Sequence, residues 1–282
     1  MVIERALEKL RKSGALHTTA GAPNVAETEA SAEVRSRPKR PVPVSALPAF
    51  AQVQYDRATA IRNRILLPDS GFAANQRAAA AYRIIRTRLR HLARTNNLRT
   101  IAITSPAADE GKSVTAINLA LSAARDVTQN VFLLDLDLRN PSVCTYLGVR
   151  PPRDLAKYFR GEAAPADVLF TVGVDNLVIG ASSESTDQAS ELVGSGKLEA
   201  LTGYISSISA NPLVLIDLPP VLVTDEALLV APHVDAMLLV VAEGRTRRNS
   251  LARAQGVLAE FPSAGIILNG TRESVESYYE YS

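Results

Sequence analysis

A loop that ends in Gly111, Lys112 and Ser113 carries the clearest chemical signal in this sequence. It lies between an apolar run and a helical pattern, which is the layout of a phosphate-binding P-loop. In such a loop backbone amides cradle phosphate oxygens, the lysine reaches the outer phosphates and the hydroxyl ligates Mg²⁺. Pro106 stands where the full pattern has a glycine, so the loop alone does not decide the function.

Two later apolar segments end in aspartates. Residues 131–134 run into Asp135 and Asp137, and residues 213–216 run into Asp217. Because ligands of an open parallel sheet bind at the carboxyl ends of its strands, these carboxylates can meet the metal ion of a bound nucleotide. A single aspartate after a strand is more often a helix cap or a turn residue. The P-loop, the aspartate pair and the third aspartate together favour a nucleotide site.

The elements that position these residues alternate between strands and helices along the chain. This alternation predicts an α/β fold of the P-loop NTPase type, with a mostly parallel sheet and helices on both faces. The predicted strands cover residues 99–105, 131–135, 177–181, 213–217, 236–242 and 265–269. The predicted helices lie at residues 76–92 and near residues 113–125, 154–160, 190–209, 224–231 and 246–261.

The 282 residues divide into four predicted parts. Residues 1–14 form an amphipathic helix. Residues 15–69, which are rich in Ala, Ser, Glu, Pro and Arg over much of their length, form a flexible linker. Residues 70–272 form the P-loop domain, and residues 273–282 form a tyrosine-rich tail.

The composition excludes several classes of protein. A net charge of +2 gives no strong attraction to nucleic acid, and three scattered histidines give no metal cluster. The single cysteine, Cys144, excludes an internal disulfide, which predicts a reducing cytoplasm, and we expect its side chain to pack in the core. The longest apolar stretch, near residues 228–242, is broken by Pro232, His233 and Asp235. We therefore predict neither a membrane span nor a secretory signal.

Three further features accompany the nucleotide motifs. Arg139 follows the aspartate pair, a helix carries Arg83 and Arg86, and three tyrosines cluster at the end of the sequence. With these features the chain resembles the bacterial tyrosine kinases of exopolysaccharide and capsule loci, and most closely the stand-alone autokinases of exosortase-associated loci. The resemblance covers essentially the whole length. The aspartate pair with its arginine and the tyrosine cluster are its most specific parts.

The resemblance implies an ATP-dependent protein-tyrosine autokinase that regulates exopolysaccharide synthesis and export, with ATP and Mg²⁺ as cofactors. The acceptors that it implies, modified chiefly in trans, are Tyr278, Tyr279 and Tyr281. The implied catalytic residues are Lys112, Asp135 and Asp137, and the sequence does not say which aspartate is the base. The implied nucleotide-binding residues are Asp109, Glu110, Gly111, Lys112, Ser113, Val114, Asp217 and Asn269. The implied metal-binding residues are Ser113, Asp135, Asp137 and Asp217.

The resemblance also implies partners. These are a membrane polysaccharide co-polymerase that activates the protein and a tyrosine phosphatase. The resemblance also implies self-association through the helix of Arg83 and Arg86, and it does not imply binding to nucleic acid. The expected location is cytoplasmic, peripheral at the inner membrane through a partner.

Ala80 stands where the family has a glutamate, so we expect a weaker assembly than the family's ring. Asp109 replaces a family glycine; aspartate tolerates positive φ, but its charge could weaken nucleotide binding.

Two other functions stay open. The first is a nucleotide-gated switch without kinase activity, like the plasmid-partitioning and cell-division-site ATPases. Those proteins usually carry an additional lysine where Ala107 stands, and its absence favours the kinase. The second is a regulator of polysaccharide export that binds nucleotide poorly, an interpretation that rests on Asp109 and Ala80.

Overall fold

An eight-stranded sheet forms the centre of the computed structural model, which describes residues 47–67 and 76–271. The strands are β1 (Ala51–Gln52), β2 (Thr100–Thr104), β3 (Asn130–Asp135), β4 (Leu169–Thr171), β5 (Leu177–Gly180), β6 (Pro212–Asp217), β7 (Ala236–Ala242) and β8 (Ser263–Asn269). Their order across the sheet is β1-β4-β5-β3-β6-β2-β7-β8. Every neighbouring pair is parallel except β4 and β5, which are antiparallel.

Helices cover both faces of this sheet. Among the described residues they are α1 (Arg57–Arg62), α2 (Gln76–Asn96), α3 (Lys112–Ala123), α4 (Val143–Leu147), α5 (Leu155–Arg160), α6 (Ala189–Val193), α7 (Lys197–Ile208), α8 (Glu226–Val230) and α9 (Arg248–Val257). One apolar core lies between the sheet and α1 to α4, and a second lies between the sheet and α5 to α9. The predicted fold class, a mostly parallel sheet with helices on both faces, is therefore confirmed.

The central strands are buried along their whole length because both faces are covered. β3, β6 and β7 contain only buried residues, which explains why their sequences are continuous apolar runs without alternation. The register between β3 and β6 pairs Asp135 with Asp217. The two carboxylates therefore reach the same edge of the sheet, next to the loop that follows β2.

The predicted helix at residues 190–209 is wrong as a single element. It consists of α6 and α7, and Gly196 separates them with a φ of +74°, a left-handed conformation that glycine adopts without strain. The sequence also gave no sign of β1 and β4, because runs of two and three residues are too short to show a period.

Residues 47–67 correct the predicted boundary between linker and domain. The sequence placed them in a flexible linker over residues 15–69, but β1 pairs with β4, and Ala60, Ile65 and Leu67 are buried in the first core. These few apolar residues cover the sheet although their spacing has no period. The remainder of the predicted linker, the helix at 1–14 and the tail at 273–282 lie outside the described residues.

Residues 51–67 are called the strap. Asn118 holds the strap against α3. Its Oδ1 accepts a hydrogen bond from the Leu66 amide at 2.7 Å, and its Nδ2 donates to the Arg64 carbonyl at 3.0 Å. The asparagine side chain thus pairs both backbone groups where the strap turns at Arg64, which has a φ of +63°. The same helix α3 begins at the P-loop, so the strap packs directly on the element that carries Lys112.

We expect Asn118→Ala to lower the free energy of unfolding by about 1–3 kcal/mol, because it leaves the Leu66 amide and the Arg64 carbonyl without their partner. Urea unfolding followed by circular dichroism measures this change. The matched control is Asn96→Ala, an exposed asparagine whose Nδ2 donates to a helical carbonyl at 3.2 Å. Its effect should stay within about 0.5 kcal/mol. Equal losses in the two variants would contradict the anchoring role of Asn118.

Candidate active site

The P-loop is shaped by two backbone positions in the left-handed region. Gly111, at the start of α3, has a φ of +88°, and a Cβ atom there would lie 2.1 Å from Nδ2 of Asn269. Only glycine fits this close approach. Asp109 is exposed and has a φ of +58°, and its carbonyl accepts a hydrogen bond from Nη1 of Arg245 at 3.0 Å. The left-handed turn expected at Asp109 is present.

Side chains from the loop itself, from the segment after β7 and from the end of β8 hold the P-loop in place. The buried Glu110 carboxylate accepts hydrogen bonds from the Ala107 amide at 3.0 Å and from Oγ1 of Thr246 at 2.5 Å. The Glu110 carbonyl accepts from Nδ2 of Asn269 at 3.0 Å. Of the predicted nucleotide-binding residues, Glu110 and Asn269 therefore shape the loop with their side chains. The sequence assigned no site role to Arg245 or Thr246, which lie more than 130 positions away from their partners.

Val114 lies in the first turn of α3. Its side chain is half-buried against the first apolar core, so only its backbone amide at the beginning of the helix is placed to face a phosphate. Helix N-termini attract anions because their first amides lack partners within the helix. The predicted nucleotide-binding role of Val114 therefore concerns its backbone amide.

Lys112 lies among the three predicted aspartates. Its Nζ is 2.7 Å from Oδ2 of Asp137, 3.6 Å from Oδ1 of Asp217 and 3.2 Å from Oγ of Ser113. Burial opposes the charged form of the lysine, but the carboxylates of Asp217, Asp137 and Asp135 outweigh it and raise the pKa of Lys112 above its usual value. The charged form of Lys112 is therefore favoured at the carboxyl ends of β3 and β6.

Asp135 is fully buried and organises the segment after β3. Oδ1 accepts from the Asp137 amide at 3.2 Å, and Oδ2 accepts from the amides of Ser142 and Val143 at 3.0 Å each. Burial, together with the charge of Asp217, raises the pKa of Asp135 to about 8. Its carboxyl oxygens thus fix the backbone that presents Asp137 and begins α4.

Asp217 is the least satisfied polar group of the site. The side chain is 0% exposed, and neither of its oxygens has a hydrogen-bond partner among the described residues. Burial raises its pKa, and the nearby Lys112 only partly offsets that effect. Because a buried carboxyl group without hydrogen bonds is costly even with the Lys112 ammonium 3.6 Å away, this arrangement suits a further cation or its bound water.

The carboxylates are not placed to coordinate a metal ion directly by themselves. Within residues 47–67 and 76–271, no group of three or more carboxylate, imidazole or thiol side chains is arranged to hold a metal ion directly. Mg²⁺ in nucleotide sites commonly keeps several waters and takes few protein ligands besides phosphate oxygens. The hydroxyl of Ser113 and the orphaned oxygens of Asp217 fit that mode of binding.

Cys144 has no place in this chemistry. It is buried in α4, and burial raises the pKa of its thiol far above the usual range. The prediction that it is a packing cysteine is confirmed. Tyr278, Tyr279 and Tyr281 lie outside the described residues.

Comparison with known proteins gives the family. Residues 97–261, more than half of the chain, match the ParA family model, described as NUBPL iron-transfer P-loop NTPase. The chain belongs to this family of P-loop NTPases. It therefore has a nucleotide-binding fold, as the loop and the aspartates indicated.

Individual relatives are more specific. Tyrosine-protein kinase CpsD of Streptococcus agalactiae is 28% identical over 221 residues, which are 77% of this chain and 94% of the relative. Tyrosine-protein kinase YwqD of Bacillus subtilis strain 168 is 29% identical over 202 residues, which are 71% of this chain and 84% of the relative. These relatives confirm the predicted resemblance to bacterial tyrosine kinases.

The solved structures agree on the fold. The kinase domain of Escherichia coli tyrosine kinase ETK superposes with a TM-score of 0.66 at 22% identity, over 81% of this chain and 91% of that domain. In the part of this chain that the structure describes, no helix combines the length and the apolar character needed to cross a bilayer.

The charge of Asp109 can be tested separately from its backbone conformation. We expect Asp109→Gly and Asp109→Asn to bind ATP as tightly as the parent or more tightly, because both remove a carboxylate beside the phosphate loop and both tolerate the left-handed turn. Titration of a fluorescent ATP analogue gives the dissociation constants. Binding weakened about tenfold or more in both variants would show that the carboxylate itself assists the nucleotide.

Proposed function

We propose that the protein is an ATP-dependent protein-tyrosine autokinase that transfers the γ-phosphoryl group of ATP to Tyr278, Tyr279 and Tyr281, chiefly in trans. The observation that carries the proposal is the buried cluster of Lys112, Asp137 and Asp217 beside a P-loop. The enzyme class is that of the named relatives, which span most of this chain.

Each residue of the cluster has a part in phosphoryl transfer. The reaction needs positioning and neutralisation of charge on the phosphoryl oxygens. Lys112 has a long, flexible side chain. Its ammonium leaves Asp137 and supplies positive charge at the outer phosphates of the bound nucleotide. The Ser113 hydroxyl and, through water, the aspartates would hold Mg²⁺, which would supply further positive charge to neutralise the phosphate oxygens. The Asp217 oxygens, which lack hydrogen-bond partners, support this assignment.

Asp137 is the better candidate for the base. Both oxygens of Asp135 are held by backbone amides. In Asp137 only Oδ1 accepts from a backbone amide, that of Asn140, and Oδ2 contacts the ammonium of Lys112. As the tyrosine oxygen bonds to the γ-phosphorus and the bond to ADP breaks, the hydroxyl proton passes to Asp137. Asp135 then acts as the positioning residue that places Asp137.

The cellular setting follows the resemblance. We extend to this chain a role in exopolysaccharide synthesis and export, activation by a membrane polysaccharide co-polymerase and reversal by a tyrosine phosphatase. A cytoplasmic protein held at the inner membrane by that partner fits these roles. Phosphates on the tail would add strong negative charge and so favour its release from phosphate-holding sites.

Self-association through α2 is part of the proposal, and the two arginines have different surroundings. Nη1 of Arg86 donates to the Ser122 carbonyl at the end of α3, at 2.8 Å, whereas Arg83 is exposed. Arg86 thus already serves a contact within the chain. Because Ala80 supplies no carboxylate to a neighbour, we expect an assembly weaker than a ring.

Mixing two full-length variants tests the kinase proposal. The donor carries Tyr→Phe changes at 278, 279 and 281, and the acceptor carries Lys112→Met, which removes the charge that meets the phosphates. With ATP and Mg²⁺, we expect phosphotyrosine on the acceptor's tail, identified by mass spectrometry. The acceptor alone should label at least about 100-fold more slowly, since transition-state charge stabilisation of this kind is worth that much.

Two outcomes of this experiment would contradict the proposal. Equal labelling of the acceptor when incubated alone would show that Lys112 is not part of the site. Phosphate only on core tyrosines, or on none, would show that the tail is not the substrate. Chelation of the metal with EDTA should abolish labelling in every mixture.

Light scattering at several protein concentrations tests the assembly. We expect Ala80→Glu to shift the parent towards larger species, because the new carboxylate can pair with an arginine of a neighbouring copy. Ala78→Glu, an exposed position on the same helix, is the matched control and should leave the mass unchanged. A stable ring in the parent protein would show that the missing glutamate is unimportant.

A further inference from the structure

Glu110 places a carboxylate inside the loop that receives the phosphates. The residue stands directly before Gly111 and Lys112, and it is only 4% exposed. Among the described residues it forms no salt bridge, so hydrogen bonds alone stabilise its carboxylate. Because like charges repel more strongly where little water screens them, a carboxylate that turned towards a bound nucleotide would weaken the binding. The direction of this side chain therefore matters for the site.

One hydroxyl group fixes the direction of the Glu110 side chain. Oγ1 of Thr246 donates to Oε1 of Glu110 at 2.5 Å and accepts from the Ala242 amide at 2.8 Å. Oε2 of Glu110 accepts from the Ala107 amide at 3.0 Å. A hydrogen bond from a hydroxyl to a carboxylate is of the strong, charge-assisted kind. The Thr246 hydroxyl uses its one proton for Glu110, and the Ala242 amide holds its oxygen, so the hydroxyl has a single orientation.

Thr246 is itself held by a tight turn after β7. The Ala242 carbonyl accepts from the Thr246 amide at 3.0 Å, and the Glu243 amide donates to the Asn269 carbonyl at 2.9 Å. Nδ2 of Asn269 then donates to the Glu110 carbonyl at 3.0 Å. Hydrogen bonds thus form a closed ring through the P-loop, the end of β7 and the end of β8. Loss of the Thr246 hydroxyl opens this ring at the Glu110 carboxylate.

The contacts around the ring also direct two backbone amides of the loop. The Asp109 carbonyl is bonded to Arg245, and the Glu110 carbonyl is bonded to Asn269. In a trans peptide the N–H group points opposite to the C=O group, and the described chain has no cis peptide bond. The amides of Glu110 and Gly111 therefore point away from Arg245 and Asn269, and neither donates to another described residue. Two free amides side by side suit phosphate oxygens.

We propose that Thr246 is a positioning residue for the phosphates of the bound nucleotide. Its hydroxyl, acting through Glu110, keeps the carboxylate turned away from the phosphates and keeps the loop in the shape that offers them its amides. The inference rests on the proposed binding of ATP at this loop and deepens it, because it assigns a part in that binding to a residue far from the motif in sequence.

Titration of the full-length protein with a fluorescent ATP analogue and Mg²⁺ tests the inference. Thr246→Val replaces the hydroxyl with a methyl group and leaves Oε1 of Glu110 and the Ala242 amide without a partner. We expect the dissociation constant to rise about tenfold or more, the effect of losing a hydrogen bond to a charged group. Thr246→Ser keeps the hydroxyl and should bind the analogue as tightly as the parent.

Removal of the Glu110 charge separates positioning from general stability. In a chain that carries Glu110→Gln, no carboxylate can turn towards the phosphates. Adding Thr246→Val to that chain should therefore cost much less affinity than it costs in the parent, and a double-mutant cycle measures the difference. A role in folding alone would lower the free energy of unfolding without this coupling in ATP binding. In the kinase assay, Thr246→Val should raise KM for ATP and leave KM for the acceptor chain unchanged.

Thr202→Val is the matched control. Thr202 is also half-buried, and its hydroxyl donates to the Leu198 carbonyl of α7 at 3.1 Å. It should leave ATP binding unchanged. The inference is wrong if Thr246→Val binds like the parent, if Thr246→Ser or Thr202→Val loses as much affinity as Thr246→Val, or if the effects at positions 110 and 246 simply add. If the parent binds no analogue, the proposed ATP site itself fails, and Thr246 has no nucleotide to position. Thr246→Ala, which also lacks the hydroxyl, replaces Thr246→Val should that variant not fold.

Discussion

The constraint on which the rest of this structure depends is the burial of one lysine among three aspartates at the edge of a parallel sheet. An isolated buried charge is very unfavourable, and even a buried pair needs good geometry to offset desolvation. Lys112 meets Asp137 at 2.7 Å, yet the oxygens of Asp217 stay without hydrogen bonds. The cluster therefore contains a buried carboxyl group whose oxygens have no hydrogen-bond partner, which suits a site made for a metal ion and a phosphorylated ligand.

Keeping that cluster in place requires contacts from distant parts of the chain. Glu110 is bound by Thr246, and its carbonyl by Asn269, so β7 and β8 hold the loop that presents the lysine. Asp135 uses both oxygens to hold the backbone around Asp137 and the beginning of α4. On the opposite side the strap packs on α3 through Asn118. The position of the lysine is thus set by the whole sheet rather than by its loop.

The same arrangement accommodates the two positions at which this chain departs from the expected family pattern. Asp109 takes the left-handed conformation that a glycine would take, with its carbonyl bonded to Arg245 and its side chain exposed. Arg86 has a partner inside the chain, at the end of α3. This contact stabilises α2 on the domain whether or not neighbouring copies assemble.

The sequence by itself determined the α/β fold, the P-loop and the three aspartates, because long apolar runs and motif residues at strand ends have local signatures. It also indicated the bacterial tyrosine kinases. Only the tertiary structure decided that residues 47–67 belong to the domain, that one predicted helix is two, and that Glu110 and Asn269 shape the loop. These features depend on contacts between residues far apart in sequence, and no local period or motif records such contacts.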